Sequence, residues 1–171
     1  MAEESLILGI DPGSMATGYG IISTTSCGRD VSFVTSGVIR TNPSTSFLSR
    51  LKVLYQGIEA VISQFKPEVA AVEEVFVSRN VKAALKLGHA RAAAVMAALN
   101  HDLVVYEYTP LEIKKAVVGY GKAQKAQVQK MISIILNLNS RLPQDASDAL
   151  AVALCHAQGQ RVNRLMEVRL D

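Results

Sequence analysis

Residues 6–20 read LILGIDPGSMATGYG, and the reading of this stretch decides the fold. Leu6 to Ile10 is a short continuous apolar run closed by the turn pair Pro12-Gly13. That is the pattern of a buried central strand, and its last step delivers Asp11 at the carboxyl end. Further along, Gly18 to Ser23 and Val31 to Arg40 read as two more strands. In the later one Val31, Phe33 and Thr35 alternate with Ser32 and Val34, and Gly37 is expected to mark a bulge. Short links containing Gly and Ser make the three an antiparallel meander.

One face of that meander needs a cover. Leu48, Leu51, Leu54, Tyr55, Ile58, Val61, Ile62 and Phe65 recur at three- and four-residue steps, which predicts a helix over Ser46 to Phe65, ended by Lys66-Pro67. Val69 to Val72 is a second buried strand with Glu73 at its carboxyl end, and a strand-helix-strand crossover lays it parallel to an earlier strand. An alanine-rich helix spans Val81 to Leu99, and Leu103 to Tyr108 is a fifth strand. Thr109-Pro110 then starts a helix with an oxygen cap and proline at the first helical position. After Gly119 and Gly121 comes a helix containing Val128, Met131, Ile132, Ile135 and Leu138, and a final helix begins near Asp145. The order predicts an α/β fold: a five-stranded mixed sheet, its first three strands antiparallel, flanked by helices. Residues 1–160 are expected to form a single domain, and residues 161–171 a C-terminal tail that frays.

Composition narrows the class. An apolar share of 49% in 171 residues can build a real core. No run reaches the roughly 18 apolar residues of a membrane helix, and the amino terminus MAEES is acidic where a secretory signal is basic. The expected location is therefore soluble and cytoplasmic, with no membrane partner. Cys27 and Cys155 lack any metal-ligand spacing, so neither a zinc site nor a disulfide framework is indicated. Charge is uneven: Arg79, Lys82, Lys86, Arg91, Lys114, Lys115, Lys122, Lys125 and Lys130 crowd one stretch against Asp102, Glu107 and Glu112. A basic face of this kind suits a phosphate backbone, although a pair of solvated helices reads the same way on charge alone.

Four carboxylates stand where a sheet-based site needs them. Asp11 and Glu73 end strands, at the edge of the sheet where ligands of α/β proteins bind, and Asp145 and Asp148 share one face of a helical turn. Clustered carboxylates repel unless a cation compensates them, and magnesium or manganese is the natural oxygen-preferring compensator. Two such ions about 4 Å apart suit phosphodiester hydrolysis. Singly, each acid has a plainer explanation as a turn residue, a helix cap, a first-turn acid or a lysine partner. The histidines His89, His101 and His156 read as surface or packing residues, not as ligands.

The blocks GIDPGSMATGYG, AVEEVFVSRNVKAALKLGHARAA, YTPLEIKKAVVGYGKAQKAQVQ and DASDALAVALCHA closely resemble, in order and across nearly the whole chain, the RuvC family of crossover junction endodeoxyribonucleases. The resemblance implies a ribonuclease H-like fold and a homodimer that cuts two opposed strands of four-way junction DNA using magnesium, for which manganese substitutes. It matches Asp11, Glu73, Asp145 and Asp148 to four metal-binding acids, two metals per site. Lys114 and Lys125 match basic residues near the cleaved strand, and Phe76 matches an aromatic beside the junction centre. Arg79, Lys82, Lys115 and Lys122 are further candidate DNA contacts from the basic stretch. RuvA and RuvB, the branch-migration machinery, are the implied partners. The sequence departs from the members' usual glutamine at Glu74, an extra acid expected to point away from the metals because adjacent strand residues face opposite ways. The small-residue helix Val81 to Leu99 is a candidate dimer surface, or it packs only within its own domain.

Three rivals stay open at this point. A junction-binding module without catalysis is opposed by the presence of all four acids. An actin-like ATP-binding protein rests only on GIDPG and needs more chain. A related nuclease acting on RNA keeps the same site.

Overall fold

The computed structural model describes residues 4–25, 30–74 and 80–167, with side-chain surroundings through residue 160. The strands are β1 (Glu4–Asp11), β2 (Ala16–Thr25), β3 (Val31–Arg40), β4 (Val69–Glu73) and β5 (Val104–Tyr108). They form one sheet in the order β3-β2-β1-β4-β5. The first three pair antiparallel, while β4 runs parallel to β1 and β5 parallel to β4. The expected five-stranded mixed sheet is the observed one. β1 lies at its centre because its apolar run has both faces to bury: Ile7 lies under one helical layer, Leu8 and Ile10 under the other.

The helices are α1 (Phe47–Phe65), α2 (Val81–Leu99), α3 (Pro110–Val118), α4 (Lys125–Ile135) and α5 (Gln144–Glu167). Ser46 caps α1 by accepting from the Ser49 N–H, and Lys66 closes it in the left-handed conformation, φ 51°. Thr109 and Glu112 form a reciprocal capping box at the start of α3, with Pro110 as first helical residue. On one face of the sheet, Leu8, Ile10, Ile21 and Val72 pack against Ile58 and Ile62 of α1 and Ala94, Ala97 and Ala98 of α2. On the other, Ile7, Ile22 and Ala71 pack against Leu150 and Leu154 of α5, with Ile113, Val117, Val128 and Ile132 of α3 and α4. Alanines let α2 lie close to its own sheet, while Val81, Leu85, Met96 and Leu99 remain exposed.

Two details differ from expectation. The register slip lies between Ile21 and Ile22, opposite Thr35 and Phe33, so the extra residue is Val34 and not Gly37. Gly37 serves Tyr19 instead: a Cβ there would come within 2.6 Å of the Tyr19 hydroxyl, so only glycine leaves room for the ring. The second is Leu138, which lies past the end of α4. Leu136 caps that helix and Asn137 turns the chain at φ 49°. The position of Cys27 is outside the described residues, and Cys155 is a buried free thiol.

Candidate metal-dependent active site

The pairing of β1 with β4 builds the first half of the site. Ile10 is in register with Val72, so the next residues, Asp11 and Glu73, end neighbouring parallel strands side by side. Strand alternation sets their direction. Asp11 shares the side of Ile7, and Glu73 the side of Ala71, both within the core beneath α5. The two carboxyls therefore project toward the same helix.

Glycine brings that helix close. A Cβ on Gly9 would lie 2.0 Å from the Ala149 carbonyl oxygen, and one on Gly18, the residue paired with Asp11, 1.9 Å from that of Asp145. Any side chain at these positions would hold α5 away from the sheet. With glycine there, the first turns of α5 cross the strand ends. Asp11, Glu73 and Asp148 then line one cleft with Lys114 of α3 and Lys125 of α4, over Ile113 and Val128. Asp145 does not line that cleft, yet its charge is felt by Asp11 and Asp148.

The electrostatics are those of an under-compensated acid cluster. Burial, and then the negative charges of Glu73, Asp148 and Asp145, push Asp11 up from 3.8 to about 8. A hydrogen bond joins it to Glu73, raising Asp11 and lowering Glu73. Burial raises Glu73 as well, against the pull of that hydrogen bond, Lys125 and Lys114. Asp148 is raised by burial and pulled back by Lys125, whose ammonium is 3.5 Å from its Oδ2, and by a hydrogen bond with Gln144.

Every donor here is a hard oxygen, and burial first, then the neighbouring negative charges, raises Asp11, Glu73 and Asp148, so the set suits a hard divalent cation in place of the missing positive charge. Among the described residues no three acids or histidines converge on one point at ligand distance. The acids stand instead as the hydrogen-bonded Asp11–Glu73 pair and the Lys125-paired Asp148.

The remaining candidates fall into three groups. Lys115 on α3 and Lys122 in the turn before α4 are exposed outside the cleft, and Lys82 is exposed in the first turn of α2, in the opposite helical layer. Phe76 and Arg79 lie outside the described residues. Glu74, past the end of β4, donates its N–H to the Tyr108 carbonyl. Gln144 and the glycines at 9 and 18 were missed. The usable signal was the run of glycines within two paired strands, which marks a close backbone approach. Arg91 was seen only as a charge; from α2 it donates through Nε to the Glu73 carbonyl oxygen at 3.3 Å and pairs with Glu107.

His156 is a packing residue, as expected. It is buried, shares a 2.7 Å hydrogen bond with the Tyr108 hydroxyl through Nδ1, and stacks at a tilt on Tyr106. Burial lowers it to about 4.

Comparison with known proteins finds relatives over most of the chain. The family model described as "Crossover junction endodeoxyribonuclease RuvC" matches residues 7–156. A protein of that description from Citrifermentans bemidjiense is 51% identical over 162 residues, which cover 95% of this chain and 98% of the relative. The solved structure of Thermus thermophilus RuvC in complex with Holliday junction substrate matches with a TM-score of 0.86 at 33% identity, over 93% of this chain and 96% of that one. The yeast mitochondrial Holliday junction resolvase matches with a TM-score of 0.67 at 15% identity, over 93% of this chain and 81% of that one; at that identity the likeness is one of fold.

Proposed function

The chain belongs to the RuvC family of crossover junction endodeoxyribonucleases, and from that premise we propose how its own residues cut DNA. The enzyme is a Holliday junction resolvase, a metal-dependent nuclease of the ribonuclease H-like fold acting in recombination and repair. Its catalytic acids are Asp11, Glu73, Asp145 and Asp148, and they hold magnesium, two ions per site, with manganese as a substitute. The observation that carries this reading is the placement of Asp11, Glu73 and Asp148 in one cleft with Lys114 and Lys125.

Bound there, divalent cations would supply charge neutralisation and an activated water for phosphodiester hydrolysis. The chain's own contributions follow from its geometry. Asp11 and Glu73, fixed on adjacent strand ends, give the site a rigid floor, and α5 brings Asp148 over it. Asp145, at the edge, adds negative charge and holds the cluster's demand for a cation high. Lys114 and Lys125 meet the phosphate oxygens; lysines neutralise backbone charge without reading base sequence. Phe76 stacks on an unpaired base at the junction centre, and Arg79, Lys82, Lys115 and Lys122 contact the arms further out.

Two copies act together, since a four-way junction offers two equivalent strands and a twofold dimer offers two sites. The exposed Val81, Leu85, Met96 and Leu99 on α2 support that helix as the dimer surface. Residues 1–160 are the nuclease domain and residues 161–171 a tail. RuvA and RuvB are the partners that deliver the junction, in the cytoplasm; no helix among the described residues is long and apolar enough to cross a membrane.

The test is a nicking assay on synthetic four-way DNA. Wild type should cut two opposed strands symmetrically with magnesium and cut nothing in EDTA, while Asp11→Asn should bind the junction and leave it intact. A fully active Asp11→Asn enzyme would defeat the site assignment, and faster cutting of an RNA hybrid would move the substrate to RNA.

A further inference from the structure

Lys125 occupies a place that its own helix disfavours. It is the first residue of α4, whose opening turn carries no acidic side chain. Its charge therefore sits at the positive end of the helix dipole. The compensation comes from outside the helix, because the ammonium is 3.5 Å from Asp148 Oδ2 and also acts on Glu73.

The two partners differ in freedom. The Lys125 side chain is 73% exposed on a flexible stem, whereas that of Asp148 is 20% exposed. Asp148 also belongs to the turns of α5 that are seated on Gly9 and Gly18, so it cannot follow a departing ammonium. The pair is thus a fixed carboxylate and a removable cation.

We propose that Lys125 is an internal counter-cation that competes with a divalent metal ion for Asp148, lowering the metal affinity of the DNA-free protein. The inference rests on reading Asp11, Glu73 and Asp148 as cation-binding acids. A lysine ammonium brings one positive charge and no open coordination position, so it quiets the repulsion among the acids without supplying the chemistry a metal would. Displacing it is an added cost of loading the site, and removing it should lift that cost.

The experiment is titration of the metal-free full chain with Mn2+, the free ion being followed by electron paramagnetic resonance. Wild type is compared with Lys125→Met, Lys122→Met and Asp11→Asn. Lys125→Met should bind Mn2+ about two- to fivefold more tightly, the range that an ion pair of this exposure supports. Lys122→Met, a lost charge outside the cleft, should leave the affinity unchanged. Equal or weaker binding by Lys125→Met overturns the proposal. So does an equal gain in Lys122→Met, which would make the effect one of net charge. If wild type and Asp11→Asn bind Mn2+ alike, the cation-site reading itself fails and the inference falls with it.

Discussion

The backbone carbonyl oxygen of Asp145 sits where a side chain on Gly18 would begin: a Cβ at Gly18 would lie 1.9 Å from it. Gly18 is also the residue paired with Asp11 in the β1–β2 ladder. One glycine therefore sets the distance between an acid on the sheet and the acids on α5. The approach of α5 to the sheet thus rests on a contact in which no side chain takes part.

Gly18→Ala should accordingly lose both stability and cutting. Overpacking at a site of this kind costs about 1–3 kcal/mol, readable by urea unfolding. Moving α5 should lower metal-dependent nicking by more than the folded fraction accounts for. Gly37→Ala provides the contrast, because its new Cβ meets the Tyr19 ring and not α5. It should destabilise while sparing the activity of the folded protein. Equal activity per folded molecule in the two variants would refute the positioning role of Gly18.

The acid cluster should leave a signature in the pH dependence of stability. In the folded, metal-free protein Asp11 titrates at about 8, against 3.8 as its ordinary value. Between those values the folded state holds a proton that the unfolded chain has released. Its contribution is full below about pH 4 and is lost as pH rises toward 8. Buried His156 acts in the opposite direction: lowered to about 4 from 6.5, it favours the fold above pH 6.5 and loses that contribution as pH falls. The informative quantity is therefore the difference between Asp11→Asn and wild type. It should grow in favour of the variant from pH 5 to pH 8.5, at about 2–4 °C of Tm per kcal/mol for a domain of this size. Added magnesium should shrink it, and a difference that ignores pH would mean that Asp11 ionises normally.

Much of this site was legible in the sequence because strands advertise themselves at both ends. Leu6 to Ile10 and Val69 to Val72 are apolar on both faces, so each had to be internal, and the first polar residue after each, Asp11 and Glu73, had to emerge at the carboxyl edge. Their side-by-side register followed from a single crossover helix. The approach of α5 was not legible, because it depends on the absence of atoms at Gly9 and Gly18, and a glycine reads equally well as a turn or a bulge. Gly37 was misread for that reason. The hydrogen bond between Asp11 and Glu73 and the pairing of Lys125 with Asp148 belong to side-chain conformation, which no periodicity encodes. Leu138 continued the spacing of α4 in sequence while Asn137 had already turned the chain.

Tyr108 ends β5 in register with Glu73, and its hydroxyl shares a 2.7 Å hydrogen bond with the buried His156. Tyr108→Phe would leave His156 Nδ1 without this partner, at a cost of about 1–3 kcal/mol. His156→Phe should be milder in the Tyr108→Phe background than alone, since the apolar pair leaves no unmatched group between the two rings, while the loss of the Gln160 contact with His156 Nε2 is common to both backgrounds. A double-mutant cycle by urea unfolding measures the coupling, and additive effects would count against an energetically linked pair.

Lys114 on α3 and Lys122 in the turn that follows should separate binding from chemistry. Lys114 lines the cleft and acts on Glu73, whereas Lys122 is exposed outside it. If Lys114 meets a phosphate beside the acids, Lys114→Ala should reduce the slope of log affinity against log salt by about 0.9. It should also slow nicking at saturating DNA, because the lost charge lies at the bond being cut. Lys122→Ala should lower affinity for every junction sequence alike and leave saturated nicking at the wild-type rate. Anisotropy titrations across a salt series, paired with single-turnover cleavage, measure both quantities. A Lys114→Ala enzyme that nicks at the wild-type rate once DNA is saturating would place that lysine on the binding surface and remove it from the reacting centre.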